Sequence, residues 1–215
     1  MHIDFYGMDI NIIYGQGRMA IIGSSVDPNE FNMAHEFLRG GDRCLVAGGG
    51  RGSVATWIAA MLRPENVVVY EAIPDLWRMM KDNIRIDGKE LPHLYLGALG
   101  TENKDKGMVV PKLYTGNSPQ SLITTESMFV PEVDTNDIIR QYRINSLSLD
   151  IEGAEYSIIP HLDLTPLRMI SMELHGTEEK AQQMKLYIER NGFTTVFWIQ
   201  HDGEFPLQHL CVVRT

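Results

Sequence analysis

From residue 43 onward, short apolar runs alternate with longer stretches in which apolar residues recur every three to four positions. The runs 43–47, 66–71, 93–98, 146–150, 168–174, 194–200 and 209–214 read as strands, and 53–63, 74–86, 135–143, 154–160 and 178–191 as helices. The last helix is the clearest: Met184, Tyr187 and Ile188 form one apolar stripe, Glu178, Glu179 and Lys180 open it, and Asn191-Gly192 stop it. Strands alternating with helices predict an α/β fold, a seven-stranded, mostly parallel sheet with helices on both faces. No helical pattern separates the last two runs, and His201-Asp202-Gly203 has turn chemistry, so the terminal strand pair is expected to be antiparallel.

Two regions depart from this rhythm. Residues 2–6 and 9–13 alternate apolar with polar, turn at Gly15 to Gly17 and return through 19–22, which predicts a small β-hairpin extension over residues 1–24. Pro28 and the spacing of Phe31, Ala34, Phe37 and Leu38 suggest a helix closed by Gly40-Gly41. The segment 100–133 carries Gly107, Pro111, Gly116, Pro119 and Pro131 with little helical period, so extended excursions and a mobile loop near the site are expected there.

A chain of 215 residues is most simply one domain, 1–215, large enough to bury its own core. Its net charge of −9 leaves no excess of Lys and Arg for a phosphate backbone or an anionic membrane, so neither nucleic acid nor membrane is an expected partner. Cys44 and Cys211 lie in apolar runs and read as buried core thiols of a reducing compartment. The N-terminus lacks a leader pattern, and no apolar window reaches bilayer length, which predicts a soluble, cytoplasmic protein. The methionines, Met79-Met80 among them, read as core filler, as do Trp57, Trp77 and Trp198.

Candidate chemistry concentrates between Leu45 and Glu71: a strand, the cluster Gly48-Gly49-Gly50-Arg51-Gly52, a helix, and a second strand ending in an acid. Glycines let the backbone turn tightly and approach a ligand, and an acid closing the next strand can accept both hydroxyls of a ribose. The dinucleotide fingerprint Gly-x-Gly-x-x-Gly puts its third glycine one residue later than Gly52. Gly48-x-Gly50-x-Gly52 instead has the spacing of class I S-adenosylmethionine methyltransferases.

The chain resembles FkbM-type methyltransferases over nearly all its length. Cys44 to Ser53 is similar to the family's first motif, Val69 to Pro74 to its ribose strand, and Gly97-Ala98-Leu99-Gly100 to a following segment. Asp150-Ile151-Glu152-Gly153-Ala154-Glu155 is the most characteristic match, followed by Met172 to His175. Val46, where the family usually has an acid, and Arg51, at a commonly apolar position, depart from it. The resemblance implies a Rossmann-like fold, S-adenosylmethionine as cofactor, and a binding site made of Gly48, Gly49, Gly50, Gly52, Ser53, Glu71, Ala72, Ile73, Ala98, Leu99 and Asp150. It also implies O-methylation of a hydroxyl on a small-molecule or sugar-like acceptor. A nicotinamide-dependent oxidoreductase and a non-catalytic cofactor-binding module are the alternatives.

Methyl transfer from a sulfonium is an in-line displacement that needs an aligned acceptor hydroxyl and a group to take its proton. Asp150, Glu152 and His175 are the catalytic candidates, each at the carboxyl end of a strand. The structural alternative has Asp150 or a neighbour capping the helix 154–160, with Glu152 and Glu155 complementing its dipole. Glu173 could orient His175. Asp150, Glu152, Glu173 and His175 are also permissive for magnesium or manganese, although their spacing does not by itself predict a metal, and no compact His/Cys array suits structural zinc.

Overall fold

A computed structural model describes residues 2–5, 8–15, 18–23, 36–84, 91, 93–111, 127–201 and 207–214. Three strands come first, His2–Phe5 (β1), Met8–Gly15 (β2) and Arg18–Gly23 (β3), paired antiparallel in the order β1-β2-β3. The expected hairpin is thus a three-strand meander, with Gly15 opposite Arg18 and Ile10 opposite Gly23. The chain then alternates through Cys44–Ala47 (β4), Ser53–Met61 (α1), Val67–Glu71 (β5), Pro74–Asn83 (α2) and Leu94–Leu96 (β6). Ala98–Gly100 (β7), Lys104–Pro111 (β8) and Ser127–Asp134 (β9) follow. The last part comprises Thr135–Tyr142 (α3), Ser146–Leu149 (β10), Glu155–Ile158 (α4), Met169–His175 (β11), Glu178–Arg190 (α5), Thr194–His201 (β12) and Leu207–Val213 (β13).

Seven strands form the main sheet in the order β12-β13-β11-β10-β4-β5-β6. From β11 to β6 all neighbours are parallel, and β13 runs antiparallel to both β11 and β12, as expected of the terminal pair. Alternation of side chains between two covered faces explains why β4 and β5 read as apolar runs. Leu45, Ala47, Val68, Tyr70, Leu147, Leu149, Ile170 and Met172 enter the core cluster that includes Ile138 of α3, Ile158 of α4 and Met184 of α5. Cys44, Val46, Val67 and Val69 enter the opposite cluster with Ala55 and Ile58 of α1 and Met80 of α2. A strand covered on both faces reads as a largely apolar run, as β4 and the first four residues of β5 do, whereas Ser146 and Ser148 alternate with the leucines of β10.

Helix boundaries follow local chemistry. Asp134 accepts the Asn136 N–H to cap α3 at 2.8 Å, Thr177 accepts from Lys180 N to cap α5, and Pro74 opens α2, where its missing N–H costs nothing. At the amino end of the sheet, buried Asp42 pairs with the Arg168 guanidinium and accepts from Asn145 Nδ2 at 3.1 Å, tying together the starts of β4, β10 and β11.

The expected strand 93–98 is broken at Gly97. Its first half stays in the main sheet, while β7 joins a second sheet of order β7-β9-β8. A Cβ at Gly97 would lie 3.2 Å from the Pro131 carbonyl oxygen, so this close crossing of β9 favours glycine. The 100–133 excursion is extended, as its composition predicts, in β8 and β9; residues 112–126 lie outside the described residues, as do most of the expected helix after Pro28 and the Asp202-Gly203 turn. Cys44, Cys211 and Met80 are fully buried, and Trp57, Trp77 and Trp198 are packed against the core, but Met79 is exposed at 38% and is no filler. Among the described residues no helix is long and apolar enough to cross a membrane.

Candidate functional site at the sheet's switch point

From β4 the strand order advances one way through β5 and β6 and the other way through β10 and β11. Open α/β sheets receive ligands at the carboxyl ends of the strands beside such a reversal. There the Gly48 N–H donates to the Tyr70 carbonyl at 3.1 Å, and Asp150 N–H donates to the Ala47 carbonyl at 2.9 Å. Gly48 has φ +76°, and a Cβ on it would sit 1.6 Å from the Asp150 carbonyl oxygen, so the loop after β4 crosses the end of β10 at a distance only glycine permits. Gly49 and Gly52 make room instead for α2: added Cβ atoms would lie 2.6 Å from Met80 Sδ and 2.7 Å from Ile84 Cγ1. Gly50, at φ +52°, has open space where its Cβ would be. Of the four glycines it alone is free to meet a ligand face to face.

Glu71 ends β5 with only 4% of its surface exposed. Its Oε2 accepts the Gly50 N–H at 2.8 Å and its Oε1 the Ile73 N–H at 2.7 Å, so this acid closes the glycine loop onto the next strand. Burial pushes its pKa up from 4.5 to about 7, against the opposing pull of the N–H groups of Ile73, Gly50 and Ala72. Three N–H groups leave part of the carboxylate's acceptor capacity for a ligand hydroxyl.

Across the switch point stands a cluster of acids around one imidazole. His175 Nε2 is 3.4 Å from Glu152 Oε2, 3.6 Å from Glu173 Oε2 and 3.8 Å from Asp150 Oδ1. Parallel pairing sets Leu149 beside Met172, which brings Asp150 next to Glu173 at the strand ends. Burial, then the charges of Glu173, Glu152, Glu155 and Glu71, drive the Asp150 carboxyl well above the ordinary range. Behind them lies His209 of β13, fully buried, with Nδ1 3.6 Å from Glu173 Oε1.

The turn that presents these groups is built by Glu155. Its buried carboxylate accepts the Ile151 and Gly153 N–H groups, each at 2.8 Å, and holds Glu152 at φ +55°, a left-handed conformation uncommon outside glycine. Asp150 does not cap the following helix; the N-cap of α4 is Ala154, without a side-chain bond. The capping alternative for Asp150 therefore fails, and the acid that organises the turn is Glu155.

Gly48, Gly50, Glu71, Asp150, Glu152 and His175 thus meet at one edge of the sheet. Ser53 is the first residue of α1, and Ile73 contributes through its backbone. Ala98 and Leu99 lie in β7, buried at 4% and 6%, with Leu99 in the main core and Ala98 packed with Val130. Val46 is a core residue, packed with the group that includes Ala55 and Ile58. Sequence reasoning passed over His209, whose only signal is a polar residue at the start of an apolar strand.

The chain matches the Methyltransferase FkbM domain over residues 69–195, more than half of its length. That match begins in β5, so it is narrower than the whole-length resemblance and leaves out the glycine loop. No curated protein matches. Among solved structures, a protein of the NADB-Rossmann superfamily from Streptococcus agalactiae is similar at 10% identity and TM-score 0.50, over 89% of this chain and 69% of that one, a likeness of fold alone. A precorrin-6y C5,15-methyltransferase from Geobacter metallireducens (11%, TM-score 0.49, 89% and 90%) and an O-methyltransferase from Bacillus cereus in complex with SAH (14%, TM-score 0.47, 88% and 83%) are more distant in shape.

Proposed function

Because the chain belongs to the FkbM methyltransferase family, we propose that it moves a methyl group from S-adenosylmethionine to a hydroxyl of a small-molecule or sugar-like acceptor at the switch point of its sheet. One observation carries this reading: a buried acid held by backbone N–H groups at the end of β5 faces, across the glycine loop, a carboxylate and imidazole cluster at the ends of β10 and β11. The donor set fits the cofactor. Glu71 has lone pairs for a ribose diol, and Gly50 leaves the approach open.

S-Adenosylmethionine supplies an electrophilic methyl on a sulfonium. In the transfer the acceptor's O–CH3 bond forms as the S–CH3 bond breaks, the bonding pair stays with sulfur, and the hydroxyl proton must leave. Asp150, Glu152 and His175 form the acceptor pole, which orients the hydroxyl and receives that proton. Glu155 keeps the pole in register through the 151–153 turn.

Titration calorimetry with S-adenosylmethionine, S-adenosylhomocysteine and NAD, followed by mass spectrometry over a hydroxylated acceptor panel, tests this. Binding of the two adenosyl ligands alone, with Asp150→Asn lowering turnover while leaving their affinity nearly unchanged, is the expected result. Binding of NAD alone overturns it, and cofactor binding without product across the panel favours the non-catalytic module.

A further inference from the structure

Two residues of the acceptor pole, Asp150 and His175, together with the neighbouring Glu173, present donor atoms around a point. Asp150, Glu173 and His175 each offer one atom, all within 4.8 Å of one another. The separations of 3.6 and 3.8 Å from His175 Nε2 are too long for good hydrogen bonds. They lie between the two separations of an octahedral set at metal–ligand distances of about 2.1 Å, roughly 3 Å for adjacent and a little over 4 Å for opposite ligands, so small side-chain adjustments would bring the donors round one ion.

Two independent facts point the same way. Asp150 Oδ1, the oxygen nearer His175 Nε2, is itself sealed from solvent without a hydrogen-bond partner, a costly state for a carboxylate oxygen unless something else meets it. And three carboxylates, Asp150, Glu152 and Glu173, surround one imidazole that can supply at most a single positive charge.

We propose that Asp150, Glu173 and His175 bind a divalent cation of the manganese class. Two carboxylate oxygens suit magnesium or manganese, and the imidazole nitrogen tips the choice towards a first-row transition ion. His209 stands outside this set, with Nδ1 3.6 Å from Glu173 Oε1, the other oxygen of that carboxylate. Three protein ligands leave positions open for the acceptor. An ion held by this set would polarise an acceptor hydroxyl, and the half-exposed Glu152 would be placed to take its proton as the O–CH3 bond forms and the S–CH3 bond breaks. This catalytic use rests on the methyltransferase reading; the ion's binding does not.

The test is Mn2+ itself. Chelator-stripped full-length protein is titrated with MnCl2, without cofactor, by calorimetry and by loss of the free-ion electron paramagnetic resonance signal. One ion per chain is expected, with affinity falling at least tenfold in Asp150→Asn and in Glu173→Gln and unchanged in the surface control Glu179→Gln. Thermal melts confirm that each variant is folded, and the isosteric Asp150→Asn guards against loss of fold. No saturable binding, or equal binding by all variants, overturns the site. S-Adenosylhomocysteine titrated into the same preparations reads the methyltransferase proposal separately, so its silence with Mn2+ bound counts against that proposal alone.

Discussion

Replacing Glu71 by Gln separates cofactor binding from folding. The raised pKa, about 7 against an ordinary 4.5, means that burying the ionised form costs the native state about 3 kcal/mol once both values are exceeded. The sign follows from proton counting: between pH 4.5 and 7 the folded protein holds more of this proton than the unfolded chain, so stability falls as pH rises through that window. Gln removes the charge and that slope. It also turns an amide NH2 towards either the Gly50 or the Ile73 N–H, losing one acceptor for about 1–3 kcal/mol. The two effects nearly cancel at neutral pH, and the variant should melt close to the parent. Under the proposed ribose-binding role of Glu71, cofactor affinity should not survive, because charge-assisted bonds to two ribose hydroxyls would be weakened; a loss of about 2–3 kcal/mol is roughly a thirty- to 150-fold rise in Kd. Calorimetry with S-adenosylhomocysteine at pH 8, beside thermal melts from pH 5 to 8, measures both. An unchanged Kd with a large fall in Tm would refute the reasoning, since Glu71 would then be a loop fastener only.

The glycine loop offers a paired comparison. Gly48→Ala should cost several kcal/mol, or abolish folding, because its Cβ would meet a backbone carbonyl at 1.6 Å, whereas Gly50→Ala should cost only about 1 kcal/mol of left-handed strain and instead weaken cofactor binding; denaturant unfolding and calorimetry distinguish them. Arg168→Met should destabilise the protein by about 3 kcal/mol by stranding buried Asp42, with cofactor affinity preserved because this pair lies at the far end of the strands. Glu155→Ala should release the 151–153 turn, lowering turnover more than cofactor affinity, as read from steady-state kinetics on any acceptor that the panel identifies.

Much of this was written locally. Strands covered on both faces are dominated by apolar residues, so β4 and β5 could be read from their runs and the amphipathic stripe of α5 from its period, while β10 alternates Ser with Leu and β11 carries Ser171 and Glu173 among its apolar residues. The order of glycine loop, acid-ended strand and Asp150 turn also lies in the sequence, because each element is short and its chemistry sits at its own end. What the sequence could not assign is which glycine serves which purpose: Gly49 and Gly52 answer to Met80 and Ile84, more than twenty-five residues away, and Gly48 to a carbonyl about a hundred residues on. The break at Gly97 depends on the approach of Pro131, and the role of Glu155 on backbone N–H groups that only a folded turn aims at one carboxylate. His209 has no motif; antiparallel pairing opposite Glu173 brings it to the site. Local sequence determines what each strand buries and what it ends in, whereas contacts between strand ends depend on register and crossing, which come from the sum of many weak packing terms across the whole sheet.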